Sequence, residues 1–200
     1  MHKAAKQPMA NSPDSARVFI AAAPGKELAG LLENAQRLIS RHAVKASLTR
    51  PSNLHMTLRF IGDTPPDRLA LLRRWFTGLP APDQAMMTAR LARWGSFSQR
   101  DGLLLWAGLD VDAGLTAWVN NMETGLRALG FPGETRAFLP HITLARRVTL
   151  SQPMADWLPP PEHTMVSFDS LTLYRSDFTP GGVVYTALDT LAVSGHASTP

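Results

Sequence analysis

One short pattern is written twice in this 200-residue chain: "NLHMTL" at 53–58 and "FLPHITL" at 138–144 both carry His, an apolar residue, Thr and Leu in that order. Apolar residues alternating with polar ones have the period of a half-buried strand, so each copy predicts a strand with one face on the core. On the first copy His55, Thr57 and Arg59 point one way and Met56, Leu58 and Phe60 the other; on the second, His141 and Thr143 share a face opposite Ile142 and Leu144. Either segment alone reads as a partly exposed strand with an incidental histidine. His and Thr are not favoured fillers of an apolar strand, so repeating both at one spacing predicts two strands placed opposite one another to build one site.

The rest of the chain supports two similar halves. "ARVFIAA" (16–22) reads as a strand, and Pro24-Gly25 breaks it before a helix with Leu28, Leu31, Leu32, Ala35, Leu38 and Ile39 on one stripe. Thr64-Pro65-Pro66-Asp67 predicts a helix start, with Thr64 as N-cap and Pro65 at the first helical position, and the helix runs to about Gly78. "MMTARLARWGSF" and "GLLLWAGL" predict a hairpin turning at Gln99–Gly102, after which Asp112 caps a third helix ending near Gly130. After "WLPPPEH", two late strands, "TMVSFDSLTLYR" and "GVVYTALDTLAV", are linked through "SDFTPGG". The expected class is α+β with antiparallel sheets, folded as one domain over 16–193 between loose tails at 1–15 and 194–200.

Composition narrows the chemistry by exclusion. With no cysteine there are no disulfides, no thiolate nucleophile and no cysteine-ligated metal. No apolar run approaches the roughly 18 to 20 residues of a membrane span, and "MHKAAKQPMANSPDSA" lacks the apolar stretch of a secretion signal, so the cytoplasm is the expected location. Lys and Arg outnumber Asp and Glu by 20 to 16, giving +4 and a pI near 10.0, a tilt toward an anionic partner that does not by itself decide one.

Two histidines and two threonines together suit one kind of chemistry best. There is no His-x-His pair and no carboxylate at ligand spacing, Asp63 and Glu134 lying outside the expected strands, so no metal is expected. A threonine nucleophile is weak, because a histidine two residues along the same face lies beside it rather than in line. Histidine's ordinary pKa of about 6.5 lets one imidazole be neutral while another is protonated, so one takes a proton as the other gives one. That pair suits in-line displacement at phosphorus, with Thr57 and Thr143 hydrogen-bonding the non-bridging oxygens and an arginine complementing their charge.

These residues resemble the two-histidine phosphoesterases, and within them the 2′-5′ RNA ligase-like proteins that act as RNA 2′,3′-cyclic phosphodiesterases. "RVFIAAAP", "NLHMTLRFIGD", "FLPHITLARR" and "LTLYRSDFTPGGVVYTAL" match the family's landmarks in order over roughly residues 17–193. The resemblance implies a bilobal, pseudo-twofold α+β fold with helices flanking the sheets around a central cleft, and metal-independent opening of a 2′,3′-cyclic phosphate to a 2′-phosphomonoester without a cofactor. It makes His55 the acid that protonates the 3′ oxygen and His141 the base that activates water, with Thr57 and Thr143 as phosphate contacts. Arg146, in "HITLAR", matches a basic position of the family, but its odd spacing from His141 turns it away from the site unless a bulge or twist intervenes; Arg59 has the right parity and is the second candidate.

The expected partners are RNA ends or cyclic nucleotides, bound by a monomer. Arg50, Arg136, Arg147 and Arg175 are candidates for contacts to a longer RNA backbone. Tyr174, Phe138 and Trp94 are expected in the core before they are expected to stack a base, and His2, His42, His163 and His196 are expected in solvent. Competing readings are action on another cyclic or 2′-5′ linked substrate, including 2′-5′ ligation of RNA, and a non-catalytic RNA-binding module; the last would be signalled by loss of a His or Thr, and both pairs are present.

Overall fold

The computed structural model describes residues 14–180 and 182–193, so the expected tails and the residues His2 and His196 lie outside the described part, apart from Asp14 and Ser15. The architecture is α+β, with three α-helices and eight strands in one antiparallel sheet network among the described residues. The chain runs β1 (Ala16–Pro24), α1 (Lys26–His42), β2 (Ala43–Leu48), β3 (Met56–Thr64), α2 (Pro66–Thr77), β4 (Thr88–Gln99), β5 (Gly102–Val111), α3 (Ala113–Ala128), β6 (His141–Leu150), β7 (Met165–Thr179) and β8 (Gly182–Ala192). None of these helices is long and apolar enough to cross a membrane.

Local chemistry explains most boundaries. Helix α1 buries Leu28, Leu32, Ala35 and Ile39, the stripe the sequence marks, together with Gln36. Asp112 caps α3, its carboxylate accepting from the Gly114 N–H at 2.6 Å. The start of α2 sits one residue later than expected. A proline forces the residue before it into extended backbone, so Pro65, preceding Pro66, has ψ 157° and becomes the cap while Pro66 opens the helix. Thr64 is buried as the last residue of β3, its hydroxyl donating to the Gly62 carbonyl. Strand β2, which the sequence reading passes over, adds an edge to β6, and β3 extends far enough to include Asp63.

Six strands close a circuit, β1–β3–β6–β5–β4–β7 and back to β1, with β8 attached to β7 and β2 to β6. The eight-stranded network falls into two groups of four: β8-β7-β1-β3, and β4-β5-β6-β2. The C-terminal strands β7 and β8 belong with the N-terminal β1 and β3, so the two groups interlace in sequence. Three pairings from Thr88↔Ser167 to Arg90↔Met165 join β4 to β7, and one, Met56↔Ile142, joins β3 to β6. Side chains from both groups, among them Ile20, Met56, Leu105, Ile142 and Leu173, meet the helices in one continuous apolar core. At roughly 25 cal/mol per Å², burying such side chains is the main force holding the groups together.

Candidate active site

The lone β3–β6 pairing is where the two motifs meet. Met56 faces Ile142, so continuing the antiparallel register by one residue each way sets His55 opposite Thr143 and Thr57 opposite His141. A local twofold axis therefore passes between Met56 and Ile142. In that register the two histidines are diagonal neighbours, about 7–8 Å apart at the backbone.

Each imidazole is held by the same backbone device. His55 Nδ1 lies 2.7 Å from the Asn53 carbonyl and His141 Nδ1 lies 2.7 Å from the Leu139 carbonyl, two residues upstream in both cases. A carbonyl only accepts, so each Nδ1 carries the proton and each Nε2 is left for the site. His55 Nε2 lies 3.1 Å from Thr57 Oγ1, and in that tautomer the hydroxyl donates.

The likeness continues one step past each threonine. On β3, Ala21 pairs with Thr57 and Ile20 with Arg59, so Leu58 is an extra residue; on β6, Trp106 pairs with Thr143 and Leu105 with Ala145, so Leu144 is extra. Each strand thus bulges directly after its threonine, and two successive residues turn inward: Leu58 with Arg59, and Leu144 with Ala145. The Leu144 carbonyl at the second bulge accepts from Gln36 Nε2 and the Thr49 N–H, at 2.8 and 2.9 Å.

These bulges decide the arginines. Arg146 regains the face of His141 and Thr143, and it lines a cavity of about 280 Å³ together with His55, Thr143, Arg50, Arg147, Asn53 and Tyr185. Arg59 lies in the wall of the larger cavity beside Thr57 and His141 but is only 8% exposed, while Phe60, expected in the core, is 39% exposed with the Arg17 guanidinium 5.0 Å over its ring. Arg59 is committed to Glu123, Glu134 and the carbonyls of Phe60 and Pro132.

The surroundings of the two histidines differ. His55 sits among Phe19, Tyr174 and Tyr185, with ring centroids 5.0, 6.5 and 5.1 Å away. Burial pushes its pKa from 6.5 down to about 4; the Asn53 carbonyl opposes this, and the charges of Arg146 and His141 add to it. Burial also raises the Tyr185 phenol, against the pull of Arg146. His141 meets the edge of Phe97 at 5.7 Å and Trp106 at 6.2 Å. Gly95 and Gly108 make room for the Trp106 ring, since a Cβ on either would overlap it. A larger cavity of about 590 Å³ opens on this side, lined by His141, Thr57, Phe60, Phe97, Phe138 and Arg136 among others.

Of the aromatic candidates, Tyr174 lies beside His55 and Phe138 beside His141, while Trp94 is remote, its indole N–H donating to the Pro159 carbonyl. Arg50 and Arg147 line the His55 cavity and Arg136 the His141 cavity; Arg175 pairs with Asp177 at 2.8 Å. His42 stacks on Trp157 at 5.1 Å. The sequence reading missed Phe19, Phe97, Tyr185 and the two orienting carbonyls; the position two before each histidine was the available signal. Among the described residues, no group of three or more His, Asp or Glu side chains is arranged to hold a metal ion.

Residues 22–179 match the family model described as the 2′-5′ RNA ligase superfamily. An RNA 2′,3′-cyclic phosphodiesterase of Geobacillus stearothermophilus is 31% identical over 158 residues, covering 74% of this chain and 50% of the relative, so the chain spans half the length of that protein. One of Thermus thermophilus is 34% identical over 163 residues, covering 73% of this chain and 75% of the relative. Among solved structures, E. coli LigT complexed with 3′-AMP superposes with a TM-score of 0.73 at 24% identity, over 90% of this chain and 99% of LigT. A Thermus thermophilus crystal structure superposes with a TM-score of 0.68 at 29% identity, over 90% and 99%. The paired motifs, the circuit of strands and the extent of these matches together make this chain a member of the 2′-5′ RNA ligase superfamily.

Proposed function

We propose that this protein is an RNA 2′,3′-cyclic phosphodiesterase that opens the cyclic end to a 2′-phosphomonoester by acid–base catalysis between His55 and His141, without a metal. The observation that supports the reading is the register at Met56↔Ile142, whose continuation sets His55 and His141 as diagonal neighbours, each with Nδ1 held by a backbone carbonyl and Nε2 turned away from it. The names of the two curated relatives supply the substrate class.

In the direction that the resemblance gives, His141 Nε2 takes a proton from water as the water oxygen bonds to phosphorus. The bond from phosphorus to O3′ breaks in line with that attack, and His55 Nε2 delivers its proton to O3′, leaving the phosphate on O2′. Thr57, Thr143 and Arg146 hold the non-bridging oxygens, where a charge-assisted contact is worth most. Unliganded His55 is neutral at neutral pH, its pKa lowered to about 4. To act as the acid it takes up a proton with the substrate, whose negative charge offsets the burial that keeps the imidazole neutral.

The test is turnover of 2′,3′-cyclic nucleotides and cyclic-ended RNA in EDTA, with the product identified by phosphorus NMR. A 2′-phosphate product is expected. Full activity in a His55→Ala, His141→Ala double variant overturns the reading, and products joined 2′-5′ identify the ligation reading instead.

A further inference from the structure

We propose that Arg59 is a positioning residue for His141, acting through the segment between α3 and β6 that carries the carbonyl orienting that imidazole. Its effect on turnover rests on the phosphodiesterase reading; its effect on the imidazole does not.

A buried guanidinium is costly unless its donors are met, and those of Arg59 are met in a particular way. Nε donates to Glu123 Oε2 at 2.6 Å, Nη1 to the Phe60 carbonyl at 2.6 Å, and Nη2 to the Pro132 carbonyl. The other oxygen of Glu123 accepts from the Glu134 N–H at 2.8 Å and from Arg127 Nε at 3.0 Å. Burial alone would raise the Glu123 carboxyl, but the Glu134 N–H, Arg127 and Arg59 together hold it below its ordinary value. One ion pair therefore ties β3, two residues beyond Thr57, to α3 and to residues 132–134.

The segment this anchor holds is also pinned near its start by Phe131, which is buried, donates its N–H to the Leu126 carbonyl at 3.0 Å and lies 4.5 Å under the Arg68 guanidinium. Residues 131–140 form no helix or strand, and they include Leu139, whose carbonyl fixes His141 Nδ1. The corresponding carbonyl on the other side belongs to Asn53, which closes a 3-10 turn on Arg50 at 2.8 Å and bonds β8 through Nδ2 to the Val183 carbonyl at 2.9 Å. Leu139 has no such turn. Beyond Phe131, its segment is fixed by the Arg59–Glu123 anchor at residues 132–134 and by the Leu109 N–H on the Pro140 carbonyl at its end. The same segment walls the His141 cavity through Glu134, Arg136 and Phe138.

Nitrogen-15 NMR of the histidine side chains tests this in the wild type and in Arg59→Met, Arg59→Lys and Glu123→Gln, with Arg73→Met, which breaks an exposed α2–β8 ion pair, as the control. In the wild type and the control both imidazoles are expected as Nδ1–H tautomers. In Arg59→Met, His141 is expected to shift toward Nε2–H while His55 does not, and kcat falls by up to roughly a hundredfold with a smaller change in KM. Arg59→Lys and Glu123→Gln show the same change to a lesser degree, and they decide the matter if Arg59→Met does not fold. A His141 tautomer unchanged in the folded variants, or an equal shift in both histidines, overturns the proposal whatever happens to turnover. A selective His141 shift in a protein inactive on cyclic phosphates supports the positioning role and rejects the phosphodiesterase reading.

Discussion

The His55 half and the His141 half share their backbone and differ in what surrounds it. Both have a carbonyl two residues before the histidine, a threonine two after, and a bulge beyond that. One residue past the inward-turned pair, however, the first strand carries Phe60 and the second Arg146. Because each strand feeds the opposite cavity, Arg146 adds its charge beside the half-buried His55, and Phe60 lines the larger cavity beside His141. Symmetry of the backbone places two equivalent groups; asymmetry of the neighbours makes them unequal, as the proposed acid and base require.

The largest expected effect comes from removing either histidine. His55→Ala and His141→Ala should each lower kcat/KM by about 10²–10⁴, and each should erase a different limb of its pH profile, while the double variant loses little more. Loss of the same limb in both variants would mean that the halves are not differentiated. The next effect is on stability. The folded-state pKa of His55, about 4, lies below the unfolded value of 6.5, so the unfolded chain binds the extra proton; the contribution is fully present above pH 6.5 and is lost as pH falls toward 4. Between pH 7 and pH 4.5 that amounts to about 2–3 kcal/mol. Urea unfolding of His55→Gln should show a pH dependence weaker by this amount, and an unchanged dependence breaks the claim that His55 is the desolvated member.

The smallest effect separates Arg146 from Phe60. Arg146→Met should raise the His55 pKa, since a neighbouring positive charge is removed, and weaken binding of a simple phosphodiester monoanion by about tenfold. Phe60→Leu should leave that affinity within about twofold. Proton NMR titration of His55 and calorimetry of the anion check both, and equal losses in the two variants would erase the distinction between the cavities.

Element types, the Asp112 cap and the paired His-Thr segments were legible because each rests on local chemistry: periodicity, a capping carboxylate, a repeated spacing. What was not legible depends on partners. Alternation counted along β3 put Arg59 openly on the site and Phe60 in the core, and a one-residue mismatch against β1 brought Phe60 out and turned Arg59 inward, into the wall of the His141 cavity. The same mismatch on β6 restored Arg146, whose parity alone had turned it away. Strand β2 escaped because "AVKASL" is only weakly apolar and gains its place from β6. Phe19 and Tyr185 reach His55 only because β1 and β8 are brought to it by the closed circuit of strands.

The single rung between Met56 and Ile142 gives the site a gauge independent of the rest of the chain. Hydrogen-bonded strands lie about 4.8 Å apart in any protein. The backbone separation of the two histidines is therefore inherited from peptide geometry and not from the length of any connection. Insertions in the connecting segments leave that gauge untouched, whereas one residue inserted between His55 and Met56, or between His141 and Ile142, would ruin it.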